Sequence, residues 1–187
     1  MASSGSGNAR RGARGLDKHW HLATDDFEVG LAELEFSIFR VSAAFERWQA
    51  DCLGCCHGQP FSGTDTALLH VIRMHDRPKG ISEMARLLKR DDLSNLQYGM
   101  RKLLKAGLIE KSRKAGASKK DVTYQVSALG RDVTDKYARF RKELLISMMR
   151  TTIEGTVDFE SLARALNMMS AMYDQASCVA ATHRLPL

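Results

Sequence analysis

A group of hydrogen-bonding and cationic side chains between residues 93 and 105 has the chemistry of a surface that contacts DNA. On a helix, at about 100° per residue, these side chains lie opposite a stripe of leucines. Asn and Gln can pair with adenine, Arg can pair with guanine, and Ser and Tyr can reach phosphates. No acidic residue occurs between Leu93 and Ile109, whereas a purely solvated helix face usually mixes Glu with Lys. The candidate DNA contacts are Ser94, Asn95, Gln97, Tyr98, Arg101 and Lys102.

Two short helices separated by a polar break should position this face. The first begins near Ile81, where we expect Ser82 to act as its cap, and the second is expected to be capped by Asp91 or Asp92. Gly107 ends the second helix, because glycine tolerates the left-handed conformation found there. This order predicts a helix-turn-helix. The apolar stripe of the second helix is formed by Leu93, Leu96, Met100, Leu103 and Leu104.

A short hairpin is predicted directly after the second helix. Residues 108–112 are extended and apolar at their start, and Val122, Tyr124 and Val126 alternate with polar residues, as in a half-buried strand. The turn between them, residues 113–121, is basic. A hairpin at this place is typical of the wing of a winged helix, and its cations are further candidate DNA contacts. They are Arg113, Lys114, Lys119 and Lys120.

Long helices are predicted on both sides of this region. Asp25 and Glu28 resemble a capping box at the start of the first. A helix over residues 26–55 would be about 45 Å long, more than a small core can cover, so part of it is predicted to be a dimer surface. The alternative is that it packs wholly within its own chain. Its apolar seam is formed by Phe27, Leu31, Leu34, Ile38, Val41, Phe45, Trp48, Cys52 and Cys55. A second seam follows Gly155 and is formed by Phe159, Leu162, Leu166, Met169, Tyr173, Ala176 and Ala180.

The arrangement resembles the MarR family of bacterial transcription regulators over about residues 25–183. The segments that carry the resemblance are ISEMARLL, KLLKAGLIEK, the wing, and VSALG, where the family usually has Leu-Thr-x-x-Gly. The resemblance implies a mainly α fold with a small β-hairpin wing, in which a winged helix-turn-helix lies between long N- and C-terminal dimerisation helices. It also implies a homodimer that places its recognition helices in successive major grooves. The expected regions are a disordered basic tail (1–23), a helical dimerisation region (24–57 and 128–184) and a DNA-binding domain (62–127).

The wing departs from the family pattern at its tip. The family commonly has an Asp-x-Arg pair there, whereas this chain has Lys119, Lys120 and Asp121. Lys is a point charge rather than a planar fork, so we expect weaker reading of a narrow minor groove.

Four residues at the end of the first long helix can do other chemistry. Cys52, Cys55, Cys56 and His57 form the sequence CLGCCH. Three interpretations remain open: apolar packing of free thiols, an oxidant-sensing thiol whose pKa is lowered by Arg47 or His57, and a metal site. A second ligand pair at the usual spacing is missing, so no confident metal site and no cofactor are predicted.

Composition limits the remaining functions. The chain has 187 residues, a net charge of +6 and a pI of about 9.3, which favours an acidic polymer as partner. No apolar run is long enough to span a bilayer and no secretory signal is visible, so a cytoplasmic location is expected. We find no catalytic constellation and therefore predict that the chain is not an enzyme.

These observations predict a dimeric, sequence-specific regulator that binds an inverted repeat in double-stranded DNA. We expect a repressor that a small-molecule effector or an oxidant releases. The alternative is a winged-helix module for protein interaction or scaffolding that has no sequence-specific DNA binding.

Overall fold

A computed structural model describes residues 20–112 and 122–183. The chain divides into two compact units, residues 1–131 and 132–187. The basic tail predicted for residues 1–23 lies almost entirely outside the described residues.

The first unit is mostly helical. Its elements are α1 (Asp26–His57), α2 (Gly63–Arg73), a 3₁₀ turn (Met74–Asp76), α3 (Ile81–Leu87), α4 (Leu93–Lys105), β1 (Ile109–Ser112), β2 (Thr123–Val126) and the start of α5 (Ala128–Arg141). Strands β1 and β2 are antiparallel, with Ile109 opposite Val126 and Ser112 opposite Thr123. The mainly α fold with a β-hairpin wing is therefore confirmed.

Side-chain caps set the start of three of these helices. Asp25 accepts a hydrogen bond from the Glu28 amide at 2.8 Å, and the Glu28 carboxylate accepts hydrogen bonds from the amide and the hydroxyl group of Thr24. Ser62 and Asp65 form a complete capping box on α2. At α4 the cap is Asp92, one of the two predicted residues. The prediction that Ser82 caps α3 is wrong, because α3 begins one residue earlier and Gly80 precedes it without a side-chain cap.

The core of this unit is formed by its helices and its hairpin. It contains Leu53, Phe61, Leu68, Leu69, Ile72, Met84, Leu96, Met100, Leu103, Leu108, Tyr124 and Val126. At two glycines, neighbouring helices come so close that a Cβ atom would have little or no room. A Cβ at Gly63 would lie 2.6 Å from the Glu46 carbonyl oxygen, and one at Gly99 would lie 3.2 Å from Asp65 Oδ1. Gly99 therefore permits the close approach of α2 to α4.

A buried lysine joins the end of α2 to the wing. Lys79 exchanges two backbone hydrogen bonds of 2.9 Å with Tyr124, which adds a one-residue third strand beside β2. Its ammonium group donates to the carbonyls of Ile72, Met74 and Arg77. Burial, and then the Arg77 charge, lower the pKa of Lys79. The Lys79 ammonium group thus connects the C-terminal end of α2 to the base of the hairpin.

The second unit contains the rest of α5, a π-helical turn (Lys142–Ile146), α6 (Ser147–Ile153) and α7 (Phe159–Thr182). Asp158 caps α7 by accepting hydrogen bonds from the amides of Glu160 and Ser161. None of the 24 residues of α7 is buried. Within the described residues no helix is long and apolar enough to cross a membrane.

Candidate nucleic-acid interface

Helix α4 has the two faces that its sequence predicts, with one exception. Leu96, Met100 and Leu103 are buried, whereas Leu93, expected at the start of the same stripe, is exposed. Leu93 lies in the first turn, directly after the cap, where the side chain extends past the core. The apolar anchor of α4 is therefore confined to its middle and C-terminal turns.

The opposite face of α4 is presented to solvent. Tyr98 is 64% exposed, although tyrosine is usually more buried. The remaining exposed polar side chains of this face are Ser94, Asn95, Gln97, Arg101 and Lys105. The helix has no acidic residue in its first turn and has Lys102 and Lys105 in its last, so its own side chains give this face only positive charge.

Asn95 is tied to the helix cap. Its backbone amide donates to Asp92 Oδ1 at 3.0 Å, and its side-chain amide donates to Asp92 Oδ2. The cap therefore orients the Asn95 amide before any ligand arrives. Its carbonyl oxygen and second N–H remain available for a base or a phosphate.

Lys102 is placed differently from the rest of the candidate face. Its Nζ lies 2.7 Å from Asp65 Oδ2 and 4.9 Å from the centre of the Phe61 ring. Asp65 is buried, and the Lys102 side chain is 37% exposed. An ammonium group held by a carboxylate and an aromatic face is less available to a phosphate than the exposed Lys105.

Two cations near the start of α4 were missing from the sequence-based set. Lys89 and Arg90 lie in the turn between α3 and α4, and Lys89 adopts a left-handed φ of 48°. In the sequence, residues 89–92 were interpreted only as a polar break between two short helices. The positive charges of Lys89 and Arg90, directly before α4, are the sequence feature that could have placed these two residues among the candidate DNA contacts.

Four predicted contacts, Arg113, Lys114, Lys119 and Lys120, lie outside the described residues. The strands that flank them are described. Thr123 Oγ1 donates to the Ser112 carbonyl at 2.9 Å and so joins the two strands at their last described pair.

The cysteines at the end of α1 differ in their surroundings. Cys52 is buried, Cys56 is half-buried and Cys55 is exposed. Burial, followed by the neighbouring Cys56, raises the pKa of Cys52 to about 12. For Cys52, burial and a raised pKa favour the packing interpretation among the three that the sequence left open. The His57 ring meets the Phe61 ring edge-on at 5.2 Å. Among residues 20–112 and 122–183, no group of three or more His, Cys, Asp or Glu side chains is arranged to hold a metal ion.

Comparisons with known proteins agree with this geometry. Residues 61–130 match the family described as "Winged helix DNA-binding domain". The transcriptional regulator BldR from Sulfolobus solfataricus has a similar structure, with 17% identity and a TM-score of 0.60 over 80% of this chain and 99% of that one. Staphylococcus aureus MarR in complex with salicylate and kanamycin is also similar, with 13% identity and a TM-score of 0.58 over 80% and 94% of the two chains. Reduced AbfR bound to DNA gives 16% identity and a TM-score of 0.56 over 78% and 98%. No curated protein sequence matches significantly.

The matched residues run from Phe61 to Gly130 and include α2, α3, α4 and the hairpin. At these levels of identity the solved structures establish the fold. Structures of MarR-type regulators have that fold, so the fold that the resemblance implied is confirmed.

Proposed function

We propose that the protein is a dimeric transcription regulator that binds a specific DNA sequence through α4. The observation that carries this proposal is the exposed face of α4, where polar and cationic side chains lie opposite a buried apolar stripe in a winged helix. A helix of 13 residues with this composition fits the major groove.

The exposed side chains suggest separate roles. Arg101 can pair bidentately with guanine and Gln97 with adenine, which would give sequence preference. Tyr98, Ser94 and Lys105 suit phosphates, which give affinity without preference. Lys89 and Arg90 add charge near the N-terminal end of the helix. The wing cations Lys119 and Lys120 are assigned to the DNA backbone, because lysine lacks the planar fork that reads a narrow groove.

Selection of bound sequences from random duplexes tests the proposal. The Arg101→Ala variant should bind the selected duplex about 1–3 kcal/mol less tightly and lose preference at defined positions, if this residue pairs with guanine. The same measurement distinguishes this function from the alternative of a scaffolding module that has no sequence-specific DNA binding. A scaffold would enrich no sequence and would retain nucleic acid, if at all, only at low salt.

The dimer is proposed from the exposed apolar seams. On α1, Phe27 is 79% exposed, Val41 67% and Phe45 55%. On α7, Phe159 is 57% exposed and Leu162 43%. Monomeric proteins rarely leave such patches in water, and a second copy of the chain would cover them with a self-complementary interface. Two recognition helices about 34 Å apart would then select an inverted repeat.

Repression is proposed to end when a small organic anion binds. The second unit has a cavity of about 450 Å³. It is lined by two arginines, Arg141 and Arg150, by one carboxylate, Glu154, and by apolar side chains that include Ile146, Met149 and Phe159. Guanidinium groups beside an apolar wall suit an aromatic carboxylate. Salicylate, which is present in the similar S. aureus MarR structure, is a suitable probe.

A thermal-shift titration tests this cavity. Salicylate at about ten times its Kd should stabilise the protein by roughly 1.4 kcal/mol, and Arg150→Met should lose most of that shift. The Lys142→Met variant, which also removes one cation from this unit but not from the cavity lining, is the matched control and should keep it. Equal shifts in Arg150→Met and wild type would mean that salicylate binds elsewhere.

Release by an oxidant is the second proposed signal, and it depends on Cys55 and Cys56 rather than on Cys52. Mild peroxide should release DNA from the native protein but not from a Cys55→Ser/Cys56→Ser variant. The Cys178→Ser variant is the control for general thiol damage. Equal release from all three proteins would remove the oxidant from the mechanism.

A further inference from the structure

The carboxylate of Asp65 connects the start of α2 to the last turn of α4. Asp65 is 5% exposed and lies in the first turn of α2. Its Oδ2 atom accepts hydrogen bonds from the Ser62 amide at 3.0 Å and from Lys102 Nζ at 2.7 Å. One buried oxygen therefore serves both the capping box of α2 and a lysine of α4.

Lys102 has a second partner from the same segment. Its ammonium group lies 4.9 Å from the centre of the Phe61 ring, and Phe61 directly precedes the cap residue Ser62. Phe61 is itself buried and its ring meets that of His57, the last residue of α1. The ammonium group is thus held where the end of α1 and the start of α2 come together.

Helices α2 and α4 also approach each other closely near this place. One turn before Lys102, a Cβ at Gly99 would lie 3.2 Å from Asp65 Oδ1 and 3.3 Å from Leu68 Cδ2. Contacts this tight leave α4 little freedom to slide or rotate on α2. Gly99 is buried, and in the sequence it stands between the exposed residues Tyr98 and Arg101.

We propose that Lys102 is a positioning residue for the recognition helix and not a phosphate contact, with Asp65 as its partner. The pair sets the rotation of α4, and this rotation determines where Arg101 and Tyr98 meet the base pairs. The inference rests on the proposed DNA-binding function and assigns a specificity role to two residues that need not touch DNA.

The salt dependence of DNA binding and the effect of removing the Asp65 charge both distinguish a positioning role for Lys102 from direct attraction to a phosphate. A lysine that neutralises one phosphate contributes about 0.9 to the slope of log K against log salt, and its loss lowers that slope. A positioning lysine contributes to affinity for the correct sequence but not to the slope. Removal of the negative charge of Asp65 should tighten DNA binding on purely electrostatic grounds, whereas loss of its positioning role should weaken specific binding.

The experiment measures binding of full-length protein to two duplexes over a range of salt. One is the duplex recovered by selection from random sequence, and the other is a scrambled duplex of the same length and composition. The variants are Lys102→Met, Lys102→Arg and Asp65→Asn. Lys105→Met serves as the comparison for an exposed lysine on the same helix and should lower the salt slope by about one.

For Lys102→Met we expect roughly fivefold weaker binding to the selected duplex, an unchanged salt slope and little change for the scrambled duplex. Lys102→Arg, which keeps a cation for Asp65, should restore most of the preference. Asp65→Asn should lose preference in the same direction, although it adds net positive charge. A general loss of folding would instead reduce binding to both duplexes equally, and the folded fraction at the assay temperature measures that contribution.

A lower salt slope in Lys102→Met, or an unaltered ratio of the two affinities, would overturn the positioning role. Tighter binding of Asp65→Asn to the selected duplex would also overturn it. Because Lys102→Met keeps the cap of α2, this variant tests the positioning role even if Asp65→Asn does not fold. Failure of the wild-type protein to select any sequence would instead contradict the proposed function itself.

Discussion

Replacement of Gly130 by Ala should destabilise the first unit more than any other single-methyl addition at a described glycine. Gly130 is the last residue of the VSALG segment and lies in the first turn of α5. A Cβ there would lie 1.9 Å from the Leu108 carbonyl oxygen and 2.6 Å from a methyl group of Val126. An ordinary contact begins at 3.4 Å, so the Leu108 backbone must retreat by about 1.5 Å.

The retreat breaks the junction between α4 and the wing. Ser127 donates its amide proton to the Leu108 carbonyl at 3.1 Å and its hydroxyl proton to the Gly107 carbonyl at 2.5 Å, and it accepts from the Gly130 amide at 3.0 Å. Overpacking usually costs about 1–3 kcal/mol, and each lost hydrogen bond about 1 kcal/mol more. We therefore expect a loss of roughly 3–4 kcal/mol.

Thermal unfolding at equal protein concentration measures this loss. For a chain of this size, 3–4 kcal/mol corresponds to a fall in Tm of roughly 6–15 °C. Gly30→Ala is the matched control, because its Cβ would meet nothing within 4 Å on an exposed turn of α1. That variant should gain about 0.5–1 kcal/mol from its better helix propensity. A Gly130→Ala protein with the same Tm as the wild type would refute the packing argument.

Three further predictions concern the cap, the wing and the thiols. Asp92→Ala removes the cap of α4 and should cost about 1 kcal/mol of stability together with DNA affinity, whereas an unchanged Tm would contradict the cap assignment. Changing Lys119 and Lys120 to Ala should lower the salt slope by about one to two units with sequence preference unaltered, and a shift in preference alone would argue for base reading. With a pKa of about 12, Cys52 should be about 10⁻⁴ ionised at pH 8, so iodoacetamide should label Cys55 first and leave Cys52 unmodified until the protein unfolds or the pH approaches 12. Early labelling of Cys52 would contradict its burial.

Much of this fold follows from local patterns in the sequence. The spacing of Leu96, Met100 and Leu103 predicts which face of α4 is buried, and Gly107, with φ of 71°, ends the helix region as expected. Alternation of Val122, Tyr124 and Val126 predicts β2, and the break near Pro78 leaves the one-residue bridge at Lys79. These features depend on neighbours a few residues apart, which is why periodicity and capping residues reveal them.

The parts that sequence patterns could not predict depend on distant contacts. From the sequence, Lys102 cannot be distinguished from the other cations on the polar face of α4. Its different role depends on Asp65, which is 37 residues away in the sequence and contacts it in the fold. Cys52 belongs to an apolar seam and to a cysteine cluster at once, and only its burial decides between a packed and a reactive thiol. Ser82 is a plausible cap by type, but the helix begins before it. Pairing across such separations is set by tertiary packing rather than by local spacing.

The central claim, a dimer that reads DNA through two copies of α4, is tested most directly by measuring stoichiometry and footprint on one selected duplex. Sedimentation of the complex should give two chains per duplex, and hydroxyl-radical footprinting should show two protected half-sites about one helical turn apart in inverted orientation. Arg101→Ala should relax preference at symmetric positions in both half-sites. A single chain that protects one half-site, or protection that is equal on every sequence, would contradict the account.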